Sequence, residues 1–135
     1  MLETGITYKQ SITVQPKDTA AVYGSGSLEV FATPAMVALM ENTAVHCLEG
    51  HLEEGQDTVG IEINVKHVLC TLCCFYVKHI KATPAGGKVN CKAKVTEIEG
   101  RRIRFEIEAE DEKGQIGYAI HDRFIIDPVK FMAKL

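Results

Sequence analysis

Thr33-Pro34-Ala35-Met36-Val37-Ala38-Leu39-Met40-Glu41-Asn42-Thr43-Ala44-Val45-His46-Cys47-Leu48-Glu49-Gly50 is the stretch on which the fold turns. No Gly or Pro interrupts it from Ala35 to Glu49. Its ends carry three agreeing signals: Thr33 can cap the first amides, Pro34 suits the first helical turn, and Gly50 suits a left-handed C-terminal position. The spacing predicts one long helix. Met36, Val37, Leu39, Met40, Val45, Cys47 and Leu48 make it apolar on almost every side, so a sheet or another subunit must cover it.

On either side of this helix the hydrophobic period falls to two. Tyr8 to Val14 reads as a first strand, and Val22 to Phe31 as an extended piece broken by Gly24-Ser25-Gly26-Ser27. Beyond the turn at Glu53-Glu54-Gly55-Gln56, Val59, Ile61, Ile63 and Val65 alternate with Gly60, Glu62, Asn64 and Lys66. The alternation returns at Val89, Cys91, Ala93 and Val95, and again at Ile103, Phe105, Ile107 and Ala109. Glu99-Gly100-Arg101 joins these two strands into a hairpin. A last strand, Ile116 to Ile126, follows Lys113-Gly114 and stops before Asp127-Pro128. The economical architecture is α+β, a single antiparallel sheet with one long helix on one face. A helix this apolar leaves too much surface for a monomer, so a homodimer is expected; dimer and tetramer are not separated at this level.

A chain of 135 residues is one domain, here 1–135, under a prior of roughly 100–200 residues per domain. Hydrophobic residues make up 46% and charged residues 24%, the balance of a globular protein. Lys plus Arg is 15 against 18 for Asp plus Glu, without a basic stripe, which argues against nucleic acid as a partner. No apolar run approaches the ~20 residues of a membrane helix, and Met1 to Gln10 lacks the pattern of a signal peptide. The expectation is a cytoplasmic protein with no membrane partner. Five cysteines, Cys47, Cys70, Cys73, Cys74 and Cys91, form no even disulfide framework and suit a reducing compartment.

The segment from Asp57 to Ile80 is too long for one strand. Fully extended it would span roughly 80 Å, against a radius of gyration of about 14 Å for a globule of this size. It must fold back, bulge or leave the sheet, and the Cys-rich piece Val68 to Phe75 is the expected place.

Glu41 is the most informative residue of the helix, because it shares a stripe with Val37, Ala44, Val45 and Leu48. A carboxylate among apolar side chains costs several kcal/mol unless it is paired or hydrogen-bonded. It is either a working acid or a helix-edge Glu reaching solvent or a cation. His67 shares the parity of Val59 to Val65 and so faces the helix; His79 shares parity with Phe75 and Val77. Either could exchange a proton near neutral pH or be a satisfied core histidine. His67, Cys70, Cys73, Cys74 and His79 contain zinc-type ligands, with Cys70 and Cys73 in a C-x-x-C spacing. The run lacks a turn residue to form the knuckle, so buried thiols acting as small hydrophobes are preferred and no metal is assigned. Walker, Rossmann and G-x-S-x-G motifs do not occur.

Taken together, Glu29-Val30-Phe31-Ala32-Thr33, Met36-Val37-x-Leu39-Met40-Glu41, Val-Lys-His, Ala82-Thr83-Pro84-x-Gly86, Glu99-Gly100-Arg101-Arg102 and His121-Asp122-Arg123 resemble the fluoroacetyl-CoA thioesterase-like branch of the hotdog-fold thioesterases. The resemblance runs from about Val30 to Ile126. It implies a hotdog fold, with a curved antiparallel sheet wrapped around one long helix in a dimer. It also implies hydrolysis of an acyl-CoA thioester, of short acyl chain, with no bound cofactor. The family's catalytic Thr matches Thr33 and its Glu matches Glu41. Its His matches His67 counting forward from Glu41, or His79 counting back from Ala82-Thr83-Pro84, because this chain carries about twelve extra residues between the two. Of these His67 is preferred, since the unbroken helix-to-strand path fixes its register. The family's strand-start Gly matches Gly60, and its Arg near the end of the last strand matches Arg123, both as substrate-binding residues. The aromatic lid of the fluoroacetyl-specific member has no counterpart in Tyr23-Gly24-Ser25-Gly26-Ser27-Leu28, a shorter stretch without Phe.

Thioester cleavage needs an activated nucleophile, a proton shuttle and oxyanion donors. Glu41 supplies the first as nucleophile or base, the histidine shuttles, Thr33 orients, and amides at the helix N-terminus are natural donors. Residues eight apart on one helix lie about 12 Å apart along its axis, so Thr33 and Glu41 meet most readily in a site shared across a dimer. The alternative is a non-catalytic acyl-CoA-binding module on the same fold.

Overall fold

The structure is a computed structural model that describes residues 1–67 and 82–135. Among the described residues the period-two segments form five strands: β1 (Thr7–Thr13), β2 (Asp57–His67), β3 (Lys88–Glu99), β4 (Arg102–Asp111) and β5 (Gly114–Ile126). They pair in the order β1-β3-β4-β5-β2, antiparallel throughout. The β3–β4 hairpin turns at Gly100, whose φ of 59° lies in the left-handed region that glycine enters without steric cost. Alternation then decides the faces. Val89, Cys91, Ala93 and Val95 of β3 and Ile103, Phe105, Ile107 and Ala109 of β4 are all fully buried. Lys92, Lys94, Glu106 and Glu108 stand exposed on the opposite face.

The long helix α2 (Thr33–Cys47) crosses the inner face. Met36, Met40 and Ala44 are fully buried against the sheet. A Cβ at Gly117 of β5 would lie 2.5 Å from Met36 Sδ and 3.0 Å from Met40 Cε, so a missing side chain is what admits the helix so closely. Val37, Glu41 and Val45 on its other side stay half-buried and Ala38 is exposed. A short helix α1 (Ala20–Tyr23) precedes α2, and α3 (Pro128–Met132) ends the chain. Among the described residues no helix is long and apolar enough to cross a membrane.

Four expectations change. Val22 to Phe31 is not extended: α1 occupies its start and Gly24, at φ 74°, closes that helix, while only Val30 and Phe31 make isolated bridges, to Pro84 and Thr19. Thr33 does not cap α2. Ala32 holds the cap position and Thr33 is the first helical residue, which turns its hydroxyl away from the helix amides. The helix also ends at Cys47, and Gly50 (φ 76°) serves the turn beyond it.

The fourth change lies in β2, whose register shifts between Gly60 and Glu62. A bulge adds one residue and reverses the parity on either side of it. Ile63 and Val65 pack against the core as the alternation predicts. Ahead of the bulge, Thr58 is buried and Gly60 turns toward Glu41 and His121, so Val59 pairs with outward Phe124 and Ile61 is 55% exposed. Cys70, Cys73, Cys74, His79 and the expected change of path between Val68 and Phe75 lie outside the described residues.

Candidate active site

Two clusters form where α2 passes the β2 edge of the sheet. The first joins the start of the helix to the end of the strand. Thr33 Oγ1 lies 2.7 Å from His67 Nδ1, a hydrogen bond that closes a sequence separation of 34 residues. His67 meets Phe31 edge-on, with ring centres 6.5 Å apart and planes at 78°. Burial pulls the His67 pKa below its usual 6.5, so the imidazole is neutral at pH 7. A neutral ring has one N–H and one bare nitrogen. In the tautomer whose Nδ1–H donates to Thr33 Oγ1, Nε2 is the bare nitrogen and can act as a base. Beside the pair opens a hollow of about 270 Å³ walled by Leu28, Val30, Phe31 and Ala32. Its rim is the Ser25-Gly26-Ser27 stretch.

The second cluster lies two helical turns on. Glu41 keeps 42% of its side chain exposed and sets Oε2 at 3.6 Å from Nη1 of Arg123, whose side chain is only 7% exposed. The acid is thus neither sealed in apolar surroundings nor loose in water. Its place on the half-buried face of α2, next to a cation on β5, is the paired arrangement that a carboxylate at this position requires. Arg123 is itself clamped by β2: Nε donates to Thr58 Oγ1 and Nη2 to the Thr58 carbonyl, both at 2.8 Å. Burial lowers the Arg123 pKa, and the charges of Glu41 and Asp57 act the other way.

Gly60 makes the second cluster possible. A Cβ there would fall 2.8 Å from Glu41 Oε2 and 3.1 Å from His121 Cε1. The space belongs to the carboxylate. His121, 1% exposed, donates from Nδ1 to the Glu62 carbonyl at 2.8 Å and holds Nε2 3.3 Å from Arg123 Nη1. Neither His121 nor Thr58 is singled out by the sequence reading. The signal for His121 was available, because Gly117, Ala119, His121, Arg123 and Ile125 share one parity and two polar residues therefore sit on an apolar face. For Thr58 the bulge hid it.

Thr33 and His67 therefore come together, as do Glu41, Gly60 and Arg123, but the two sets remain separate within one chain. Thr33 and Glu41 both lie inside α2, so the axial rise of about 12 Å over eight residues applies in full. Among the described residues, no three His, Cys, Asp or Glu side chains converge as a metal site. Burial pushes the Cys91 thiol up to about 11 and raises that of Cys47, which keeps both protonated and unreactive.

A pH dependence follows from the two lowered histidines. Folded His67 and His121 take up a proton less readily than their unfolded counterparts, whose pKa is 6.5. Their contribution to stability is complete above that value and is lost as pH falls through it toward the lower folded pKa. Urea unfolding is expected to give a lower midpoint at about pH 5.5 than at about pH 7.5. A midpoint that stays level or rises on acidification would contradict this.

The model of the fluoroacetyl-CoA-specific thioesterase family matches residues 14–74 and 73–129, breaking inside the stretch that carries the extra residues. The curated fluoroacetyl-CoA thioesterase of Streptantibioticus cattleyicolor is 37% identical over 107 residues, 79% of this chain and 68% of that protein. A crystal structure of a single-residue variant of the fluoroacetyl-CoA-specific thioesterase, in complex with fluoroacetate and CoA, superposes with a TM-score of 0.82 at 30% identity, covering 96% of this chain and 99% of that one. A thioesterase superfamily member from Thermus thermophilus shares the fold, with a TM-score of 0.82 at 24% identity over 98% and 90% of the two chains. A five-stranded antiparallel sheet around one helix, matched in sequence over most of its length, places this chain in the fluoroacetyl-CoA-specific thioesterase family, thioester hydrolases of the hotdog fold.

Proposed function

We propose that this protein hydrolyses a short-chain acyl-CoA to the free acid and CoA, using Thr33, Glu41 and His67. The 2.7 Å bond between Thr33 and His67 at the mouth of the small hollow carries the reading. It pairs a neutral imidazole with a hydroxyl beside a space sized for a short acyl group. His67 Nε2 takes the proton of the attacking group and returns one to the departing CoA thiol. Thr33 orients the ring through its bond to Nδ1, and the tautomer with Nδ1–H leaves Nε2 to act as the base. Pro34 has no N–H, so the Thr33 and Ala35 amides are the donors that the first turn of α2 offers to the carbonyl oxygen. Glu41 acts as the nucleophile or as the base for water, with Arg123 and Gly60 shaping its surroundings.

Thr33 with His67 and Glu41 occupy separate stations along one chain, so the complete site joins the Thr33–His67 pair of one copy to Glu41 of a second. The outer side of α2, with half-buried Val37, Glu41 and Val45 and exposed Ala38, supplies the contact. The experiment is free-thiol release from a panel of acyl-CoAs of increasing chain length, run on the protein and on mixed dimers. Rate is expected to fall as the chain outgrows the hollow. Glu41→Gln and His67→Ala protomers, each inactive alone, should recover about one quarter of the normal rate after random reassociation, since half the dimers then hold one intact site. Tight acyl-CoA binding without thiol release would leave a binding module instead, and a mixture no more active than its parents would put all three residues in one chain.

A further inference from the structure

The inner face of the sheet is apolar until the end of β5, where it presents a buried imidazole. Nothing in the hydrolytic scheme uses that ring, and a fully buried histidine on an apolar face needs both nitrogens accounted for. Its Nδ1 is 2.8 Å from the Glu62 carbonyl, which can only accept, so Nδ1 carries the hydrogen. The neutral ring then has a bare Nε2, and the atom facing it at 3.3 Å is Nη1 of Arg123, which can only donate. Arg123 Nη1 is also the atom that faces Glu41 Oε2 at 3.6 Å.

We propose that His121 is a positioning residue of the active site, fixing the Arg123 guanidinium that faces Glu41 through a line running from the Glu62 carbonyl to His121, Arg123 and Glu41. This rests on the reading of Glu41 as the working acid. Thr58 holds the far edge of the guanidinium through Nε and Nη2, and His121 holds Nη1, so the plane has one orientation. The anchoring carbonyl comes from the β2 bulge, where regular pairing is interrupted. Phe105 of β4 flanks the imidazole, with ring centres 6.3 Å apart. The nearby carboxylate of Asp122 does not compete for Arg123. It lies on the outer face, bound to Arg104 at 2.8 and 2.9 Å and to Arg102 at 3.2 Å. A second proton on His121 would set N–H against N–H and cation against cation, so the line exists with the ring neutral.

Three substitutions separate positioning from packing. His121→Asn retains a donor for the Glu62 carbonyl but has no acceptor at Nε2; His121→Phe keeps the ring shape and removes both; His121→Gln returns an acceptor oxygen near the Nε2 position. Asn and Phe are expected to lower kcat on the order of 10–100-fold with KM little changed, and Gln to recover most of that loss. A merely structural histidine would lower Tm in all three without this split or rescue. Independently of turnover, nitrogen NMR of the unsubstituted protein should show His121 with Nδ1 protonated and Nε2 bare. The Arg123 guanidinium protons should be slow to exchange, and fast in His121→Phe. The opposite tautomer, or guanidinium exchange unaffected by the substitution, overturns the proposal. Absence of thiol release from the unsubstituted protein would instead overturn the hydrolase reading and leave the NMR result standing.

Discussion

Glu41→Gln is expected to cut kcat by on the order of 10²–10⁴-fold, the range of a lost acid–base group, while dimer formation and acyl-CoA binding persist. Gln has the same shape and keeps an oxygen toward Arg123, so the guanidinium retains a partner. What it lacks is the charge needed to attack a carbonyl or deprotonate water. Glu41 is 42% exposed on the outer side of α2, and the helix rests on Met36, Met40 and Ala44 instead. The fold therefore tolerates the change, and a loss of rate reports chemistry. Thiol release gives kcat, and calorimetry with a non-hydrolysable acyl-CoA analogue gives Kd. Full activity in the Gln variant would remove Glu41 from the reaction.

His67→Ala is expected to lose on the order of 10²–10⁴-fold in kcat/KM, whereas His79→Ala should retain normal activity. Both histidines follow Val-Lys, and the extra residues between them make the family alignment land on either. The structure supports His67 by what holds it: Thr33 bonds one nitrogen, Phe31 flanks the ring, and the strand that delivers it is paired to β5 without interruption from Glu62 to His67. Lowered by burial, the ring is neutral at pH 7 and can accept a proton. Thiol-release rates of the two variants decide the matter, and the reverse pattern would move the shuttle to His79.

How much of this was legible beforehand follows from how far apart in sequence the cause of each feature lies. The long helix, the β3–β4 hairpin and the final strand are written in local periodicity and in the turn residues Gly100 and Gly114, and they stand where the pattern puts them. As a cap Thr33 is misread, because a hydroxyl just before a helix usually caps it, whereas here Thr33 is the first helical residue and its hydroxyl bonds a histidine 34 residues away. Val59 and Ile61 were assigned to the wrong face, because one inserted residue reverses parity and leaves no mark in the pattern of hydrophobic and polar types.

By itself the sequence determined the long helix, the main strands of the antiparallel sheet and the family, since each depends on periodicity or on short motifs. Only the tertiary structure decided that Thr33 bonds His67, that Gly60 faces Glu41, and that Thr58 and His121 hold Arg123. Those contacts are fixed by the register of β2 on β5, strands whose partners are 59 and 65 residues apart in the hydrogen bonds that matter. A one-residue slip in that register would send Thr58 and His67 to the other face of the sheet.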